Sequence, residues 1–158
     1  MTEQEFTRAV ERYGDMLYRI AFSYCKNRAD ADDLVQNAFI KYLRGKKPFA
    51  SEEHLRNWLI RVTVNECKQH FRLFRRRPEN LADYENTLVF ESDDYGDLFE
   101  AIMALNKKYR EVIILYYYEG YSIAETAALL GLPSATVGTR LRRAREALNK
   151  QLTEVTAE

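Results

Sequence analysis

Residues 120–145 read GYSIAETAALLGLPSATVGTRLRRAR. Ser122, with Glu125 three residues on, forms a capping box, which satisfies the free N–H groups that open a helix. The spacing predicts a short helix ending at Leu130. Gly131-Leu132-Pro133 then makes a tight turn, since glycine adopts the left-handed conformation that ends a helix and proline blocks continuation. Ser134 opens a longer helix with Val137, Leu141, Ala144 and Leu148 at helical spacing on its inner side. Thr136, Thr139, Arg140, Arg142, Arg143 and Arg145 occupy the rest. A short helix, a glycine turn and an arginine-studded second helix make a helix-turn-helix. The second helix of this motif suits the major groove, where hydroxyls bond phosphates or bases and arginine grips guanine or phosphate.

Upstream of the motif, Leu98, Phe99, Ile102 and Leu105 predict a short helix. Asn106 is placed to cap the next one, which carries Tyr109, Val112, Ile113 and Tyr116. The run Tyr116-Tyr117-Tyr118 is expected to pack inward. Near the start of the chain, Thr2-x-x-Glu5 is a second capping box. Phe6, Val10, Tyr13, Leu17, Ile20, Ala21 and Tyr24 follow it at helical spacing. A helix over about 29–43 buries Ala31, Leu34, Val35, Ala38, Phe39 and Tyr42, and Gly45 ends it. Pro48 sits in a short loop, and Ser51 caps a third helix whose inner face is Leu55, Trp58, Leu59 and Val62. No alternating strand pattern persists and no repeat appears. The fold class is all-α: two small helical domains, residues 1–77 and 97–158, joined by an acidic linker at 78–96.

The 158 residues carry no net charge, but blocks of opposite sign follow one another. Residues 1–40 hold five Lys/Arg against seven Asp/Glu, and residues 41–77 hold eleven against three. Residues 78–100 hold none against eight, and 101–158 hold eight against six. A basic block as dense as 41–77 attracts polyanions, because each neutralised phosphate releases a counterion. Basic residues there alternate with Phe49, Trp58, Phe71 and Phe74, a mixture suited to unpaired bases, which need stacking surfaces as well as phosphate partners.

Several function classes fall away. No apolar run approaches the length needed to span a bilayer, so no membrane insertion is expected. Met1-Thr2-Glu3-Gln4-Glu5 lacks a secretion signal, and two cysteines make no disulfide framework; both fit a cytoplasmic protein. There is no P-loop, nucleophile elbow or HExxH helix. Cys67-x-x-His70 has ligand spacing, but only Cys25 and His54 remain as similar ligands. The expectation is therefore no enzyme, no catalytic residues, no cofactor and no metal site. A stand-alone helix-turn-helix regulator is the main alternative for the C-terminal motif, although it leaves residues 6–77 without a DNA task.

Taken together, the two halves resemble an RNA polymerase sigma factor of the sigma-70 family, in its extracytoplasmic-function (ECF) group. Asp30-Ala31-Asp32-Asp33-Leu34-Val35-Gln36-Asn37-Ala38-Phe39 is similar to the region 2 core-binding motif, and Asn57-Trp58-Leu59-Ile60-Arg61-Val62 through Arg72 to the adjoining promoter-reading helix. Gly120 to Arg145 is similar to region 4. The resemblance implies that Asp30, Asp33, Leu34, Gln36 and Phe39 lie on the helix that binds the β′ clamp helices of core RNA polymerase. It implies that the loop from Lys46 to His54 accepts a base flipped from the −10 element. Lys46, Lys47, Phe49, Asn57, Arg61, Asn65 and Arg72 would form that DNA surface. Thr136, Thr139, Arg140, Arg142 and Arg143 would meet the −35 element. Expected partners are core RNA polymerase (through the β′ clamp helices and the β flap), promoter DNA and an anti-sigma factor. A sigma-like protein that binds core polymerase without initiating is the other reading. Gly138, Asn37 and Gln69 depart from residues frequent in the family.

Overall fold

Thr2 and Glu5 exchange both capping-box hydrogen bonds, at 3.0 and 3.1 Å, and so start helix α1, Glu3–Cys25, in the computed structural model, which describes residues 1–75 and 96–156. The chain divides into two units, Met1–Thr87 and Leu88–Glu158. The expected linker at 78–96 lies, but for its last residue, outside the described residues.

In the N-terminal unit, α1, α2 (Arg28–Arg44) and α3 (Glu52–Arg75) pack pairwise into a three-helix bundle. Leu17, Ile20, Phe22, Leu59 and Ile60 are fully buried in it. α1 ends at Lys26, a non-glycine residue in the left-handed region (φ 54°, ψ 28°), whose N–H reaches the Phe22 carbonyl at 2.8 Å. Asn27 at once caps α2 by accepting from the Asp30 N–H at 3.0 Å, so two helices meet with almost no loop between them.

Two expectations for this unit need correction. Val10 is exposed; Ala9 and Met16 take the interior places beside Tyr13 and Leu17. On α3, Trp58 and Val62 are only half-buried, and the inner face runs through Leu55, Leu59, Ile60, Thr63, Val64 and Cys67. A helix wedged between two others buries a wider arc than a single stripe. Gly45 does end α2, but with extended backbone (φ −70°, ψ 143°), so the stop needs no left-handed glycine.

In the C-terminal unit, α4 (Gly96–Met103), α5 (Lys107–Ile113), a π-helical turn (Ile114–Tyr118) and α6 (Ile123–Leu130) gather with α7, Ser134–Thr156. The first four are five to eight residues long, too short to persist alone in water, so packing on their neighbours holds them. Asn106 stands at the start of α5 but makes no side-chain cap there. Leu98 is exposed, while Phe99, Ile102 and Leu105 are buried as expected. The π turn places Ile114 and Leu115 inside and swings Tyr117 out to 51% exposure, with Tyr116 and Tyr118 half-buried. The tyrosine run therefore does not pack uniformly inward. Among the described residues there is no strand.

Candidate nucleic-acid and polymerase interfaces

The second capping box forms as the residues dictate: Ser122 Oγ accepts from the Glu125 N–H at 3.1 Å, and Glu125 Oε1 accepts from the Ser122 N–H at 3.0 Å. Gly131 ends α6 in the left-handed conformation (φ 68°, ψ 38°), its N–H and that of Leu132 both aimed at the Ala127 carbonyl. Pro133 then offers its carbonyl to the Val137 N–H at 3.2 Å and α7 begins. Val137, Leu141 and Ala144 are wholly buried, which sets the opposite side of α7 outward.

The five expected duplex contacts divide. Arg142 and Arg143 are exposed, and Thr136 and Thr139 half-exposed. Arg140 turns inward instead. Its Nη1 lies 3.4 Å from Oε1 of Glu111, a buried residue of α5. A buried carboxylate demands a cation, so Arg140 ties α5 to α7. Arg145, outside the expected set, lies over the Tyr117 ring at 5.8 Å. A Cβ at Gly138 would meet nothing within 4 Å, so steric crowding does not require glycine there.

Asn57, Arg61, Asn65 and Arg72 on α3 fall within about 80° of one another around the helix axis. Arg61, Asn65 and Arg72 are exposed and Asn57 half-buried, so this polar face runs along the outside of the bundle. At its N-terminal end lies the α2–α3 loop. Ser51 caps α3 by accepting from the His54 N–H at 3.1 Å, and the Ala50 N–H donates to His54 Nδ1 at 3.0 Å. His54 thereby pins the end of the loop. Phe49 is half-buried among Tyr42, Trp58 and His54, with ring centroids at 5.8, 5.4 and 5.1 Å, while Lys46 and Lys47 are exposed beside it. Tyr13 donates its hydroxyl to Glu52 Oε2 at 2.6 Å. Burial, then that carboxylate, pushes the Tyr13 hydroxyl above the usual tyrosine range; burial does the same to Tyr42.

On α2, Asp33 and Gln36 are exposed, and Asp30 is half-buried with Oδ2 3.5 Å from His70 Nε2. Leu34 and Phe39 are buried in the bundle, so they fix the helix rather than offer their side chains outward. The exposed stripe continues instead through Ile40 and Leu43, at 41% and 56% exposure, which follow Asp33 and Gln36 at helical spacing. Sequence reasoning missed both; the available signal was that neither fits the inner apolar face of α2. Lys41 pairs with Glu66 and joins α2 to α3. Cys67 is buried, and among the described residues no three His, Cys, Asp or Glu converge on a metal-sized site.

Comparison with known proteins adds an independent finding. Residues 9–77 match the family model described as Sigma-70 region 2, and residues 95–148 match Sigma-70, region 4. The sigma factor SigV of Bacillus subtilis is 34% identical over an alignment covering 87% of this chain and 84% of that protein. The ECF sigma factor SigW of the same organism is 28% identical, covering 97% and 91%. Among solved structures, the Bartonella quintana sigma factor RpoE, in complex with the anti-sigma factor NepR, superposes with a TM-score of 0.72 at 25% identity, covering 95% of this chain and 98% of that one. CnrH, in complex with the cytosolic domain of CnrY, gives 0.63 at 28%, covering 97% and 90%.

Proposed function

The chain belongs to the sigma-70 family, among its ECF sigma factors, and from that premise we propose how its residues divide the work of promoter-specific initiation. The N-terminal unit binds core RNA polymerase through the outer stripe of α2, with Asp30, Asp33 and Gln36 meeting the β′ clamp helices. Leu34 and Phe39 shape that stripe from beneath. The C-terminal unit sets Thr136, Thr139, Arg142 and Arg143 into the major groove of the −35 element and docks on the β flap. Asn57, Arg61, Asn65 and Arg72 follow the −10 strand along α3, and the Lys46–His54 loop holds one base drawn from the stack.

The observation that carries this reading is the pairing of two different cationic surfaces in one chain. One is a convex arginine helix behind a glycine turn; the other is a polar helix edge leading to an aromatic loop. A duplex reader needs the first, whereas a protein that captures melted DNA needs both. Extruding a base costs a few kcal/mol. Stacking on an aromatic side chain returns about 1–3 kcal/mol per base. Opening therefore needs no ATP: the protein traps a fluctuation and the polymerase performs the chemistry.

RpoE and CnrH are each seen with a protein partner of the anti-sigma kind or a cytosolic domain, and we extend to this chain control by an anti-sigma factor in the cytoplasm. No helix among the described residues is long and apolar enough to cross a membrane.

In vitro transcription with core polymerase on a genomic fragment library tests the proposal. Discrete promoter-dependent transcripts are expected, and Arg142→Ala with Arg143→Ala should lower them about tenfold or more, at about 1–3 kcal/mol per lost base contact. Co-purification with core polymerase but no transcript would instead support a sigma-like protein that does not initiate. Tight, palindromic DNA binding without polymerase would support a stand-alone regulator.

A further inference from the structure

His54, in the first turn of α3, is joined to the loop before it at three points. Its N–H donates to Ser51 Oγ at 3.1 Å, and its Nδ1 accepts from the Ala50 N–H at 3.0 Å. Its ring stands edge-on to Phe49, with centroids 5.1 Å apart and the planes at 70°. Phe49 also packs on Trp58 and Tyr42, so the aromatic side chain of the loop is seated by α2, α3 and this imidazole together. Backbone pairing does not hold the loop. Among the described residues, the bond from Ala50 to His54 is the one hydrogen bond that residues 46–50 make. The shape of the loop therefore depends on a single acceptor, and that acceptor belongs to a histidine.

An imidazole accepts at Nδ1 only when it is neutral, with its proton on Nε2; an imidazolium donates from both nitrogens and accepts at neither. Histidine is the side chain whose charge changes between about pH 5 and 8. His54 is exposed, so it exchanges protons with water. The charged and titratable groups around it are Glu52, Glu53 and Arg56 of α3, Lys46 and Lys47 of the loop, Tyr42 of α2, and Arg12 and Tyr13 of α1. Glu52 is engaged by the Tyr13 hydroxyl at 2.6 Å and lies 3.7 Å from Arg12 Nη1. Burial holds the Tyr13 and Tyr42 hydroxyls above the usual tyrosine range, so both stay neutral where histidine titrates. Among the described residues His54 makes no ion pair that would reward its charged form. The positive end of the α3 dipole also opposes a cation in the first turn.

We propose that His54 is a positioning residue for the melted −10 strand: its neutral imidazole holds the loop that presents Phe49, and protonation releases that loop, so capture of unpaired DNA weakens in acid. The inference rests on the promoter-opening function proposed above and adds to it a proton-sensitive step. The sign follows from the acceptor. The bond to Ala50 is made on the alkaline side of the histidine titration and lost on the acid side, where Ala50 N–H meets a second N–H. Duplex reading has no such dependence, since α7 carries no histidine. His70, the other histidine of the chain, lies 3.5 Å from Asp30 Oδ2 and is left unchanged in every variant below.

The experiment uses the chain bound to core RNA polymerase. Its probes are a fork DNA, selected from a library randomised in the upstream duplex and the unpaired non-template strand, and the same duplex without that strand. Anisotropy gives the ratio of fork to duplex affinity across the histidine titration, from about pH 8 to about pH 6. In the wild-type chain the ratio should fall about threefold to tenfold toward acid, the weight of one hydrogen bond. His54→Asn, whose Oδ1 can take the place of Nδ1 and accepts at every pH, should keep the acid ratio within about twofold of the alkaline one. His54→Ala should show the low ratio throughout. Circular dichroism of each variant checks that it folds. Wild-type and His54→Asn profiles that coincide, or a His54→Ala ratio equal to wild type at the alkaline end, overturn the proposal. If the wild-type chain prefers the fork while either of these occurs, the promoter-opening function stands without the histidine. If no fork is preferred at the alkaline end, both fall.

Discussion

The two units are built on opposite architectures. The N-terminal unit rests on three long helices, of 23, 17 and 24 residues, whose fully buried positions are almost all apolar. None of its described cations is buried. The C-terminal unit is assembled from pieces of five to eight residues against one long helix, and among the described residues it buries two charged ones, Arg110 and Glu111. Arg110 donates to the Leu105 carbonyl at 2.7 Å and closes the turn between α4 and α5. Glu111 takes Arg140 from the recognition helix. The lesson concerns supply: a unit of short helices draws on its own charges for cohesion, and one arginine that seemed available to DNA is consumed in doing so.

The largest expected effect breaks this contrast directly. Arg140→Ala takes the guanidinium away from the buried Glu111 carboxylate and should destabilise the C-terminal unit by about 2 kcal/mol, below the 3–5 of a fully buried pair because Arg140 keeps part of its side chain in water. Arg143→Ala should leave the melting temperature in place and reduce duplex binding. Calorimetry beside DNA anisotropy separates the two, and equal stability of both variants would refute the tie. Next in size, Thr63 in the bundle and Thr126 in α6 each bury a hydroxyl that has no hydrogen-bond partner among the described residues. Thr63→Val and Thr126→Val should each stabilise by about 1 kcal/mol, read from denaturant midpoints. A gain in only one unit would show that the other hydroxyl has found a partner in solution. The smallest effect lies at Gly14 and Gly138, where an added Cβ meets nothing within 4 Å. Gly14→Ala and Gly138→Ala should each add about 0.5–1 kcal/mol from helix entropy, again by denaturant titration.

Much of the architecture was legible because local chemistry announces itself. Thr2 with Glu5, Ser122 with Glu125, Ser51 before α3 and Gly131 before Pro133 all form the caps and turns that their residue types favour. The junction at Lys26-Asn27 was less legible, since a left-handed lysine carries no signal of its own and is held there by the helices on either side. Burial was harder to read than helicity. Trp58 and Phe49 are large enough to look like core, but they line a surface cluster, while the modest Thr63 and Cys67 lie deep inside. For the candidate interfaces, the residue types were readable from spacing, whereas their availability was not. Arg140 is diverted by a glutamate 29 positions upstream, and Leu34 and Phe39 by the two helices that cover them. Such long-range partners leave no periodic trace.

One length constraint follows from the wide turn at Ile114–Tyr118. Its Glu119 N–H reaches five residues back to Ile114, one more than an ordinary helical rung. A π turn is geometrically an α-helix with a single residue inserted. Deleting one of the three tyrosines is thus the shortening this segment absorbs most readily: the ladder closes to regular pitch and the rest of the unit keeps its phase. An added residue finds no such slack.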